Sequence, residues 1–168
     1  MQMLNRYFSP FALFLILSAV YFSDPDPSAY HASLIILAAA FAVNWWLTAN
    51  TYRFIRWASK MRRIQIWINF AWAVPLFYLL QPFWAPMWLL FVMAPITAAL
   101  YAGFWETLLT ALAADAAMLG IYYSRGVFSM GSAEAGMAAT QALFILVVAL
   151  FVNGLALAAL RMRDASLG

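Results

Sequence analysis

The stretch MAATQALFILVVALFVNGLALAAL, Met137 to Leu160, contains no charged residue and is closed by Arg161, Arg163 and Asp164. A helix rises about 1.5 Å per residue, so roughly 20 apolar residues cross a hydrocarbon core of about 30 Å. A helix half-buried in a water-soluble core would alternate apolar and polar faces instead. This run is apolar all round, and it reads as a transmembrane helix.

Working outward, the same pattern recurs. Spans are predicted over residues 8–22, 29–49, 64–80, 87–101, 107–123 and 137–160. Ser9 and Pro10 suit a helix start, and Asp24-Pro25-Asp26-Pro27 suits a helix end. The Asp-Pro-Asp-Pro run is unlike a small-x-small cleavage site, so the first apolar segment is expected to be retained. Pro75 and Pro95 fall inside predicted helices as kinks. The segment from Met87 to Tyr123 is long for one span and short for two. Gly103 and Glu106 near its middle favour two. Residues 124–136 are expected to form a loop. The fold class is therefore all-α: a polytopic transmembrane helical bundle of six spans, with five as the alternative, making one transmembrane domain over residues 1–168.

Composition agrees. Of 168 residues, 67% are hydrophobic and only 9% charged, with a mean hydropathy of +0.86. A soluble domain carries about 25% charged residues. With no cysteine, disulfides, thiolate metal sites and thiol catalysis are excluded.

Charge sets the expected orientation. Arg53, Arg56, Lys60, Arg62 and Arg63 form a basic segment with Phe54, Ile55, Trp57 and Met61. Such a segment contacts anionic lipid headgroups and marks the cytoplasmic side, rather than nucleic acid. With six spans, Arg6, Arg161 and Arg163 then also fall inside, and of the basic residues only Arg125 lies outside. The expected location is a bacterial cytoplasmic (inner) membrane, multi-pass, with both termini cytoplasmic.

Asp115 is the most informative single residue. It stands in the middle of a predicted span among Ala113, Ala114, Ala116 and Ala117. A bare carboxylate at that depth costs several kcal/mol, so it must face protein or water. It is expected to be protonated or water-linked, and to serve as a proton, ion or ligand contact or as a structural acceptor. Asn44, Asn69 and Asn153 are candidate partners. They would join Asp115 or Glu106 in one polar network, or make separate interhelical hydrogen bonds. Glu106 also suits the positive end of a helix dipole.

The chain holds 8 Trp, 8 Tyr and 14 Phe. Near span ends these suit an aromatic belt. Alternatively Trp72, Phe77, Trp84 and Trp88 would wall a cavity for a flat or hydrophobic ligand. No cofactor is called for, although a bound lipid or pigment would suit such walls. His31, the single histidine, is a weak metal ligand alone. Ala98, Ala102, Gly154 and Ala158 are small residues at four-residue spacing, which permits close helix packing. No HExxH, GxSxG or phosphate-loop motif occurs.

The stretch NFAWAVPLFYLLQPFW (Asn69 to Trp84), continuing as APMWLLFVMAPITAALY (Ala85 to Tyr101), resembles the N-terminal multi-span input module of some bacterial sensor histidine kinases. Thr107-Leu-Leu-Thr110 and Leu119-Gly-Ile-Tyr122 extend the resemblance. It implies a non-enzymatic sensory or receptor module whose last span leads to the cytoplasm. It carries over no catalytic residue. Two other readings stand beside it: a structural or accessory subunit of a larger membrane complex, and a substrate-binding component of a transporter. Membrane lipids and a protein partner or homo-oligomer within the membrane are the expected partners.

The orientation is testable because the chain lacks cysteine. Single cysteines at Ser59, Ser132 and Ser166 should be labelled from outside intact cells at position 132 alone. External labelling of position 59 contradicts the orientation.

Overall fold

The structure, a computed structural model, describes residues 2–23, 26–50, 58–81 and 85–165. It holds α1 (Gln2–Ser23), α2 (Pro27–Asn50), α3 (Ala58–Leu80), a 3-10 segment (Ala85–Leu89), α4 (Leu90–Tyr101), α5 (Phe104–Ser124), the one-turn α6 (Val127–Met130) and α7 (Ser132–Ala165). No strand occurs among the described residues. In hydrocarbon every backbone N–H and C=O must be satisfied within the chain, and a helix does this locally. Four helices are long and apolar enough to cross a membrane: 27–47, 63–80, 104–124 and 132–162. Two shorter apolar helices, 10–22 and 85–101, accompany them. The architecture is an all-α, multi-span membrane bundle.

Helix bounds depart from expectation at several places. α1 begins at Gln2, so Pro10 lies inside it rather than in its first turn. Pro there removes one i→i−4 hydrogen bond, which an otherwise apolar helix tolerates in a membrane. α7 begins at Ser132, so the expected loop over 124–136 shrinks to a turn, α6 and Gly131. The start of α7 is compact: a Cβ added at Gly131 would lie 2.8 Å from Glu134 Oε2, so the carboxylate folds back over the glycine. The segment before α4 is a 3-10 turn rather than α-helix. By contrast, the break after Tyr101 separates α4 from α5 where Gly103 and Glu106 suggested it.

The chain divides into two compact units, Met1–Met93 and Ala94–Gly168, with the boundary inside α4. In the first unit α2 packs along α3, while α1 meets α2 and the 3-10 segment. Its interior includes Ile16, Phe77, Leu80, Met87 and Phe91, all fully buried. Phe77 and Phe91 pack edge to face with ring centroids 5.1 Å apart, a geometry favoured by the aromatic quadrupole.

In the second unit α5 packs along α7, and α6 packs against both. The buried stripe of α5 is Thr107, Thr110, Ala111, Ala114, Met118 and Tyr122. That of α7 is Ala138, Gln141, Ile145, Ala149 and Asn153. Both stripes follow three- and four-residue spacing, and their small residues let the backbones approach closely. α5 ends where Gly126 takes φ 71°, a left-handed conformation that glycine adopts without strain.

Candidate functional site

Several polar side chains of the apolar helices meet in pairs. On α2 and α3, the Asn44 amide donates to Asn69 Oδ1 at 3.0 Å. These two asparagines are far apart in sequence and meet only because α2 and α3 run side by side. Trp72 lies one turn beyond Asn69 on α3. It is half-buried, and its enclosed indole N–H has no hydrogen-bond partner among the described residues.

The α5–α7 seam is clasped near both ends. Near the C-terminus of α5, the buried Tyr122 hydroxyl donates to Gln141 Oε1 at 2.8 Å. Near its N-terminus, the buried Asn153 amide donates to the Ala99 carbonyl at 3.1 Å and to Thr107 Oγ1 at 3.4 Å. Thr107 in turn donates to the Gly103 carbonyl at 3.1 Å. One asparagine thus ties α7 to α5 and to the last turns of α4. The two clasps fix α5 and α7 as antiparallel, with Thr107 level with Asn153 and Tyr122 level with Gln141. Between them the buried seam is apolar: Ala111, Ala114 and Met118 on α5, Ile145 and Ala149 on α7.

Asp115 stands midway along this seam. It is half-buried, and its Oδ1 is enclosed with no hydrogen-bond partner among the described residues. Asn153 is level with Thr107, eight residues nearer the helix start, or about 12 Å along the axis. It is bonded there to Thr107 and Ala99 rather than to Asp115. Glu106 lies in the first turn of α5, where the helix dipole favours a carboxylate, and its carbonyl accepts from Thr110 Oγ1 at 2.9 Å.

The described residues of the proposed aromatic walls differ in burial. Phe77 is fully buried against Phe91, Trp72 and Trp88 are half-buried, and Trp84 lies outside the described residues. A surface cleft of about 590 Å³ occurs elsewhere, lined by Phe14, Leu17, Ser18, Val20, Tyr21, Phe22 and Tyr30 where α1 and α2 adjoin. The reading of the sequence missed it. Its signal was the group of aromatics flanking Asp-Pro-Asp-Pro.

Of the basic segment, Arg53 and Arg56 lie outside the described residues. Lys60 and Arg62 fall in the first turns of α3, and Arg63 is exposed. α3 therefore continues beyond the apolar stretch into the basic one. His31 Nδ1 lies 2.6 Å from the Pro27 carbonyl, in the exposed first turns of α2. Among the described residues no three His, Cys, Asp or Glu side chains come together to hold a metal ion. Compared with known protein families, with curated proteins and with solved structures, the chain finds no match.

The clasps should contribute measurable stability. Tyr122→Phe should cost about 1 kcal/mol and Asn153→Leu about 2, since the latter removes the donor to the Ala99 carbonyl and to Thr107 Oγ1. A double-mutant cycle on Asn44→Leu and Asn69→Leu should return a coupling of about 0.6–2 kcal/mol. Denaturation in mild detergent measures all three. A coupling near zero would show that the asparagine pair does not hold α2 to α3.

Proposed function

We propose that the chain is a non-enzymatic sensory or receptor module of a bacterial cytoplasmic membrane, with α7 as its output element. The observation that carries this reading is the continuity of α7. Its 34 residues form one helix from Ser132 to Ala165. At about 1.5 Å per residue it is roughly 51 Å long, well beyond a hydrocarbon core of about 30 Å. Its end, with the exposed Arg161, therefore extends past the apolar region. Two polar clasps couple this rod to α5, so a shift in α5 moves the end of α7. The resemblance of residues 69–122 to sensor-kinase input modules, in which the last span leads to the cytoplasm, agrees with this direction of output.

A second reading, an accessory subunit of a membrane complex, is favoured by Asp115. Its enclosed oxygen lacks a hydrogen-bond partner among the described residues, as expected if a neighbour in the membrane completes its surroundings.

The two readings differ in whether the α5–α7 pair has two arrangements. Trp105 and Met162, 71% and 68% exposed, stand at the same end of this pair and accept spin labels as cysteines. A sensory module should give a distance distribution that shifts by about 1–5 Å when bilayer thickness or tension is changed. A single distribution, unmoved by the bilayer, counts against the sensory reading and for the accessory one.

A further inference from the structure

We propose that the outward face of α5 around Asp115 is an interaction surface for a transmembrane helix of another protein carrying a basic side chain near its middle. Oδ1 of Asp115 is enclosed while the residue as a whole is only half-buried, so Asp115 stands at the edge of the packed stripe. Leu112 and Leu119, three residues before and four after it, share its side of α5, with Leu112 exposed and Leu119 half-buried. With Leu108, also half-buried, they form an apolar row beside the carboxyl group against which a second helix can pack.

Charge decides the occupant. No Lys, Arg or His occurs between Arg63 and Arg125, nor between Arg125 and Arg161. The segments that build α4, α5 and the apolar length of α7 therefore offer Asp115 no cation of their own. A second copy would bring another carboxylate to the same depth and no base. Ionisable groups inside a bilayer pair with one another or with backbone carbonyls. A lysine or arginine on a partner helix is the complement that this face lacks. Its ammonium or guanidinium would donate to the Asp115 carboxylate, while its apolar residues pack along Leu112 and Leu119. The surface stands whether or not α7 transmits a signal.

The full chain in phosphatidylcholine vesicles tests this against three synthetic leucine-rich peptides of about 20 residues, with a central lysine, a central glutamine or no interruption. Energy transfer between labelled chain and peptide reads association. The lysine peptide should bind roughly 3- to 30-fold tighter than the uninterrupted one. Asp115→Asn, which keeps the shape, should remove that difference. Leu112→Ala, a change on the exposed side next to Asp115 and outside the buried stripe, should weaken lysine-peptide binding with Asp115 intact. Equal binding of the three peptides, or indifference to Asp115→Asn, overturns the proposal. So does a glutamine peptide that matches lysine, which would make the partner a neutral hydrogen-bonding helix. Self-association that depends on Asp115 and excludes all three peptides overturns it in favour of a second copy.

Discussion

Hydrocarbon supplies no hydrogen-bond partner, so each polar group that enters the bilayer must be satisfied by the protein itself. Helices meet that demand for the backbone. Side chains meet it by bonding back within their own helix, as Thr110 does, or across helices in a few short-range pairs, while Asp115 Oδ1 and the Trp72 indole N–H find no partner among the described residues. Asn153 makes two of the contacts across helices. Its amide donates to the Ala99 carbonyl and to Thr107 Oγ1, while the Thr107 hydroxyl donates to the Gly103 carbonyl. Lipid gives apolar side chains no reason to prefer one another, so it cannot choose which helix lies beside which. Close packing of small residues and a handful of amide and hydroxyl contacts must do so. The alanine-rich stripes of α5 and α7 bring the backbones together, and the clasps at Tyr122–Gln141 and Thr107–Asn153 set the register.

The same constraint explains what could be read from residues alone. Apolar runs flanked by Arg, Asp, Gly and Pro report the helices directly, because lipid penalises any other backbone. The break between α4 and α5 was legible from Gly103 and Glu106. Helix ends were less so. Pro10 looked like a first-turn residue and lies inside α1, because a missing N–H bond is tolerated within an apolar helix. Ser132 to Gly136 looked like loop and begins α7, with Glu134 folded back over Gly131. Serine, glycine and alanine fit either state, and the sequence holds no strong cap to separate them.

The polar residues were visible as types but not as pairs. Asn44, Asn69 and Asn153 stood out in apolar surroundings, yet nothing in their spacing says that the first two meet and the third binds Thr107. That depends on which helix faces are opposed, a property of packing. Thr107 stands in the first turn of α5, where its hydroxyl donates back to the Gly103 carbonyl as well as accepting from Asn153. Tyr122 and Gln141 went unnoticed because tyrosine near a span end suits the headgroup region equally well. Asp115 was recognised from its depth alone, and its surroundings sharpen the reading. One oxygen is enclosed and the residue borders the exposed Leu112.

The antiparallel register of α5 and α7 underlies both the output reading and the placement of Asp115. Ala111 and Ala149 are both fully buried, and the clasps place them level with each other. The absence of native cysteine gives a clean background for cross-linking. A disulfide needs Cα atoms within about 7 Å. In membranes under mild oxidation, the Ala111→Cys, Ala149→Cys pair should cross-link within one chain, and the Ala111→Cys, Ala138→Cys pair should not. Cross-linking of the second pair, or of neither, would contradict this register.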